Sequence, residues 1–123
     1  MKLHLDQPAN INAITAYGDD YVQVNQTRHS APLVVMPQQL IENWRPQSFE
    51  DLQAEDFAAL AQLQVEIVLL GTGEKLRFPH PKLTRALMEK RIGLETMSTA
   101  AACRTYNILM GEGRAVACAL LLK

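Results

Sequence analysis

The sequence predicts an α/β domain of three layers around a central mixed sheet, with an N-terminal antiparallel meander and a C-terminal βαβαβ unit. Three observations carry this expectation. Residues 65–73, VEIVLLGTG, form an almost unbroken apolar run stopped by a Gly-Thr-Gly turn, the pattern of a strand covered on both faces and here expected at the centre of the sheet. Downstream of it, strand and helix patterns alternate to the C-terminus, which calls for parallel strands joined by crossover helices. Upstream, short strand-like runs are separated by Gly, Asn and Pro, as in a meander. A chain of 123 residues suits a single domain spanning 1–123.

Taken in order, residues 11–17 and 21–24 read as two strands around Gly18-Asp19, with glycine where a two-residue type II′ turn wants it. Asn25 tolerates the positive φ of a second turn. A third strand is expected over 27–36, with Leu33, Val34, Val35 and Met36 as its buried end and Pro32 as a bend or edge marker. Residues 37–47 read as a connection in which Trp44 is a packing anchor. Ser48 and Asp51 form a capping-box-like pair at the start of a helical segment whose apolar positions are Phe57, Leu60 and Ala61. After the 65–73 strand and a loop over 74–80, Pro81 suits the first turn of a helix carrying Leu83, Ala86 and Leu87 on its apolar side, with Gly93 as its C′ stop. A short strand over 94–97 follows, then a helix over 98–110 capped by Ser98 or Thr99. The chain ends in a strand over 114–122 that is apolar enough to be buried on both faces. Within the 65–70 strand, Glu66, Val68 and Leu70 are expected on one side and Val65, Ile67 and Leu69 on the other.

Composition excludes several classes. Hydrophobic residues at 48% and charged residues at 20% describe a globular chain and not a disordered one. The net charge is −1 and the lysines and arginines look scattered, so there is no electrostatic case for nucleic acid. The start MKLHLDQPAN lacks the apolar core of a signal peptide, and the apolar run over 115–122 is too short to span a bilayer. A cytoplasmic protein without membrane insertion is expected. Cys103 and Cys118, fifteen residues apart, match neither a disulfide framework nor a zinc site. They are expected to be reduced, with Cys103 buried and past the first helical turn, where activation by the helix end has faded.

One corner draws attention. Gly71, Thr72 and Gly73 follow a buried strand, where phosphate-binding turns occur, although the third glycine of a dinucleotide fingerprint and the Gly-Lys-Ser/Thr of a P-loop are missing. If the strands over 65–70 and 94–97 are parallel, this turn meets the start of the 98–110 helix. Ser98, Thr99 and Arg104 then join it in a corner able to hold an anion or a protein contact. The structural reading is that both glycines serve close packing and that Arg104 pairs with Glu95 or Glu112. His4, His29 and His80 are dispersed, and no carboxylate pair with catalytic spacing stands out. No catalytic residue, metal or cofactor is therefore expected.

Four ordered motifs are recognisable: Leu70-Gly71-Thr72-Gly73, Gly93-Leu94-Glu95-Thr96-Met97, Ala102-Cys103-Arg104-Thr105-Tyr106-Asn107 and Glu112-Gly113-Arg114. Together they make the chain resemble a small family of single-domain proteins of unknown biochemical function, whose mitochondrial member is an assembly factor of respiratory complex I. The resemblance implies a three-layer α/β fold with a mixed sheet and supplies no catalytic residues. It also implies a protein partner. The function expected is a non-enzymatic protein-interaction module, an assembly or biogenesis factor for a larger respiratory or membrane complex. The alternative is a small-ligand or anion-binding protein, or an enzyme, that uses the Gly-Thr-Gly corner. Self-association is left open.

Overall fold

The computed structural model describes residues 11–123. Its centre is a five-stranded sheet in the order β5-β4-β8-β6-β7, made of β4 (Leu33–Met36), β5 (Gln39–Ile41), β6 (Ile67–Thr72), β7 (Gly93–Met97) and β8 (Val116–Leu121). β6 pairs parallel with both β7 and β8, whereas β4 runs antiparallel to β8 and β5. A separate antiparallel sheet holds β1 (Ile14–Tyr17), β2 (Val22–Val24) and β3 (Thr27–His29). Helices α1 (Ala54–Leu60), α2 (Arg85–Glu89) and α3 (Thr99–Gly111) complete the fold. The expected mixed sheet, meander and βαβαβ unit are all present.

The layers follow from β8. All six of its residues are buried, and period-2 geometry sends alternate side chains to opposite faces. Val116, Cys118 and Leu120 enter one core, with Leu33, Val35 and Leu69 beside them. The small sheet and α3 cover that core through Ile14, Val22, Ala102 and Tyr106. Ala117, Ala119 and Leu121 enter the other core with Val34, Val68 and Leu70, covered by Phe57 and Leu60 of α1, Leu87 of α2, and Trp44. Trp44 is thus the packing anchor expected. β8 occupies the middle of the sheet, and β6, expected there, is instead the middle of the parallel trio. An apolar strand only has to be flanked and covered, and both strands are.

Several local expectations are corrected. The 27–36 strand splits at Pro32, which has no N–H to give a ladder. Residues 27–29 stay in the small sheet while 33–36 join the large one. The connection over 37–47 contains β5, because Pro37-Gln38 close a two-residue hairpin with Met36 opposite Gln39. Gly18 does not have positive φ. An added Cβ there would lie 2.3 Å from the Tyr21 ring, so a larger residue would have to displace that side chain. Asn25 does take the left-handed turn, at φ 54°. Ser48 makes no side-chain cap to the single 3-10 turn Phe49–Asp51. Asp56 takes the capping role one turn later, accepting the Gln53 N–H at 2.8 Å and Arg45 Nε and Nη2 at 2.9 and 2.7 Å. The left-handed residue after α2 is Arg91 (φ 58°), so Gly93 is free to begin β7. Ser98 caps α3 as expected, accepting the Ala101 N–H at 3.3 Å.

Along β6 the alternation holds for Ile67 and Leu69 against Val68 and Leu70, but Val65 packs with Val68 and Leu70. The carbonyl of Ala115 accepts from both Glu66 N–H (2.9 Å) and Ile67 N–H (3.4 Å). Two residues there oppose one, as in a bulge, and the side-chain parity slips by one. Leu69→Ala is expected to lower the unfolding free energy by about 2–5 kcal/mol, as truncation of a buried aliphatic does. Half-buried Ile67→Ala is expected to cost less. Urea denaturation of both variants measures this, and an inverted order would contradict the placement of Leu69 in the core.

Candidate functional site

The corner forms where the chain reverses. β6 leads through α2, on one face of the sheet, to β7, and β7 leads through α3, on the opposite face, to β8. The loops leaving β6 and β7 therefore diverge at a topological switch point, the place where open α/β sheets leave a crevice. Gly71, Thr72 and Gly73 end β6 there, and Ser98 and Thr99 begin α3 beside them.

In this protein the crevice is sewn together. Thr99 N–H donates to the Gly73 carbonyl at 2.8 Å, and Gly73 N–H donates to Thr99 Oγ1 at 2.8 Å. The Thr99 hydroxyl in turn donates to the Leu121 carbonyl at the end of β8. One side chain thus ties β6, α3 and β8. Thr72 Oγ1 donates to the Lys75 carbonyl at 2.6 Å and accepts the Arg77 N–H at 3.2 Å, which folds the loop after β6 back on itself. The glycines permit this closeness. A Cβ on Gly71 would sit 3.0 Å from Thr99 Cα, and one on Gly73, at φ +92°, would sit 2.7 Å from the Lys123 carbonyl carbon.

What remains open is a cleft of about 140 Å³ bounded by Gly73, Ser98, Leu122, Gly18 and two acids, Asp19 and Glu74. Arg104 is not among its walls. Its guanidinium donates to Tyr17 Oη at 2.8 Å and forms no ion pair with Glu95 or Glu112. The neighbouring motif residues are staples to the small sheet. Asn107 Nδ2 donates to the Ile14 carbonyl at 2.7 Å while its Oδ1 accepts the Ile14 N–H at 2.9 Å, and Tyr106 Oη donates to the Asn12 carbonyl at 2.8 Å.

Both cysteines are buried and free. Burial pushes the Cys103 thiol up to about 12, against a smaller downward pull from Arg104. Burial likewise raises Cys118 well above its ordinary value. A thiol held this high is not a thiolate nucleophile at neutral pH. His80 stands exposed in its loop, accepting the Lys82 N–H at 3.1 Å.

A second surface escapes the sequence reading. The basic residues that look scattered are not. Six of the twelve Lys and Arg, and one of the thirteen Asp and Glu, fall between positions 75 and 91, a net charge of +5 in a chain of net charge −1. The same stretch holds Leu76, Phe78 and Met88, three of the five large apolar side chains left exposed among the described residues. A windowed charge count would have found the charge; the exposure needed the structure.

A family model described as "Protein of unknown function (DUF498/DUF598)" matches residues 14–121. The chain belongs to this family. It is 33% identical over 110 residues to NADH dehydrogenase (ubiquinone) 1 alpha subcomplex assembly factor 3 of Bos taurus, an alignment covering 88% of this chain and 59% of that protein. The chain thus spans a little under two thirds of that relative's length. A crystal structure from Bordetella parapertussis superposes with a TM-score of 0.86 at 42% identity, over 93% of this chain and 98% of the other. A Mth938-like domain from Bordetella pertussis, solved by solution NMR, superposes with a TM-score of 0.82 at 36% identity, over 98% and 92% of the two chains. No helix among the described residues is long and apolar enough to cross a membrane.

Two outcomes are expected from this geometry. Thr99→Val keeps the shape but leaves Gly73 N–H and the Leu121 carbonyl unpaired in a buried site, which costs about 1–3 kcal/mol. Thr99→Ser should restore most of that in chemical denaturation. Alkaline pH tests the thiols. The folded state holds Cys103 protonated where the unfolded chain, with a thiol near ~8.5, ionises. Stability is therefore full below ~8.5 and falls as pH rises towards 12. The urea midpoint should drop less steeply over this window in Cys103→Ala, and an unchanged slope would remove the thiol from the explanation.

Proposed function

We propose that this domain is a non-enzymatic protein-interaction module that serves the assembly or biogenesis of a larger respiratory or membrane complex. The observation that carries the reading is the alignment with a complex I assembly factor over 110 residues, 88% of this chain. The part shared with that relative is nearly the whole of this domain, so the domain's own surface is where a shared role would reside. The exposed apolar and basic stretch over 75–91 supplies a surface of the right kind. On this reading the domain works in the cytoplasm, where its buried thiols stay reduced.

The competing reading seats a small ligand or anion at Gly71, Thr72, Gly73, Ser98, Thr99 and Arg104. Such a ligand would have to displace the Thr99 bonds that hold three segments, and Asp19 and Glu74 would face it. Backbone N–H groups already used inside the fold are not free to bind an anion.

The test is affinity purification of the tagged chain from its native cell, at native expression and after mild crosslinking, with partners identified by mass spectrometry. Subunits of one multisubunit complex should be enriched over a tag-only control. A chain that purifies alone, but gives a saturable calorimetric signal with inorganic phosphate that Ser98→Ala removes, would overturn the module in favour of the ligand site.

A further inference from the structure

The segment after the Gly-Thr-Gly turn is pinned at one residue and presented at its neighbours. Arg77 is held along the surface, its guanidinium paired with Glu50 and lying 5.4 Å from the Phe49 ring centroid. Leu76, Phe78 and His80 are exposed on either side of it, while Arg77 and Pro79 are less so. That period-2 pattern puts the three exposed side chains on one side of an extended segment. Phe78 is 72% exposed and Leu76 52%.

α2 follows a few residues further along the chain. Leu83, Ala86 and Leu87 face the core, and Lys82, Arg85, Met88 and Glu89 border a shallow, open depression together with Pro81. Met88 is 68% exposed. Among the described residues, Lys75, Lys82, Arg85, Lys90 and Arg91 make no ion pair. An exposed apolar set ringed by unpaired cations is matched by a partner with apolar anchors and acidic residues around them. Glu89 beside the depression opposes a uniformly anionic surface, whether lipid or nucleic acid, but suits a peptide that carries one cation of its own.

We propose that the exposed face of α2 and the extended segment before it form the docking surface for an acidic, apolar-anchored segment of a partner protein. This rests on the interaction-module reading and adds the surface and the chemistry of the partner. Phe78, Leu76 and Met88 supply the buried contacts, and the cations supply orientation and rate of encounter.

The experiment titrates the ¹⁵N-labelled 123-residue chain with a twelve-residue synthetic peptide of Glu and Asp bearing one Leu, one Phe and one Lys. The comparison probes are the same peptide with Lys in place of the acids, phosphatidylglycerol–phosphatidylcholine vesicles, and duplex DNA. The acidic peptide should shift amide signals over 76–91 and spare those of β1 to β3. Its affinity should fall on the order of tenfold in Arg85→Glu and in Phe78→Ala, as for interface anchors, and weaken with added salt. Ile108→Ala, at another exposed apolar side chain, should leave it unchanged. Shifts elsewhere, equal binding of the basic peptide, or vesicles or DNA engaging 76–91 in preference to the peptide would overturn the proposal. The two variants are also carried through the native-cell purification. Partners retained by both would overturn this surface and leave the assembly role standing. No partner with the wild type would overturn the assembly role, and the peptide titration alone then decides the surface.

Discussion

The structure depends on the burial of β8 on both faces. A strand with six consecutive buried residues needs hydrogen-bonding neighbours at both edges and a covering layer on each side, because its backbone groups and its side chains all lose water together. β4 and β6 supply the edges, one antiparallel and one parallel. The layers are then obligatory: α3 and the small sheet on one face, α1 and α2 on the other. The small residues of β8 record this. Ala117 and Ala119 lie under the α1–α2 layer, and Cys118 lies under α3, with Sγ 3.6 Å from the Ala102 carbonyl.

The second constraint is the reversal of direction around β6. Because successive crossovers step to opposite sides of that strand, their helices lie on opposite faces, and the loops part where many α/β domains bind ligands. Here the gap is closed by a single threonine whose N–H and hydroxyl reach Gly73 and Leu121. Gly71 and Gly73 are what such closeness demands of the backbone. The motif that invites a phosphate-loop interpretation is thus explained by packing. The features left unexplained by packing lie just beyond it, on the segment from Lys75 to Arg91.

That segment shows how charge is organised in a nearly neutral chain. Acids gather around the start of α1, where Arg45 joins Asp51 and Asp56, and at Glu66, where Arg114 holds the carboxyl below its usual range. These pairs satisfy each other within the domain. The cations on and before α2 have no such partners among the described residues, apart from Arg77. They flank apolar side chains that the fold has not buried. Net charge averages the two populations to −1 and conceals both.

The sequence by itself determined the elements whose cause is local. Ser98 caps α3 because a hydroxyl satisfies an orphan N–H wherever a helix starts, and Asn25 turns the chain because its side chain tolerates positive φ. The parallel trio followed from strand and helix periods alone. Where two neighbours compete for one role, only the tertiary structure decided. The capping box of α1 forms between Gln53 and Asp56 and not between Ser48 and Asp51, with Asp56 buried and held by Arg45. Arg91 takes the left-handed turn that Gly93 would suit, because the Gly93 N–H is needed by the Glu66 carbonyl. The split of residues 27–36 between two sheets, and the slip that turns Val65 inward with Val68, depend on partners far away in the chain. A contact between β6, α3 and the C-terminal end of β8 has no sequence signature, since its geometry exists only once all three are packed.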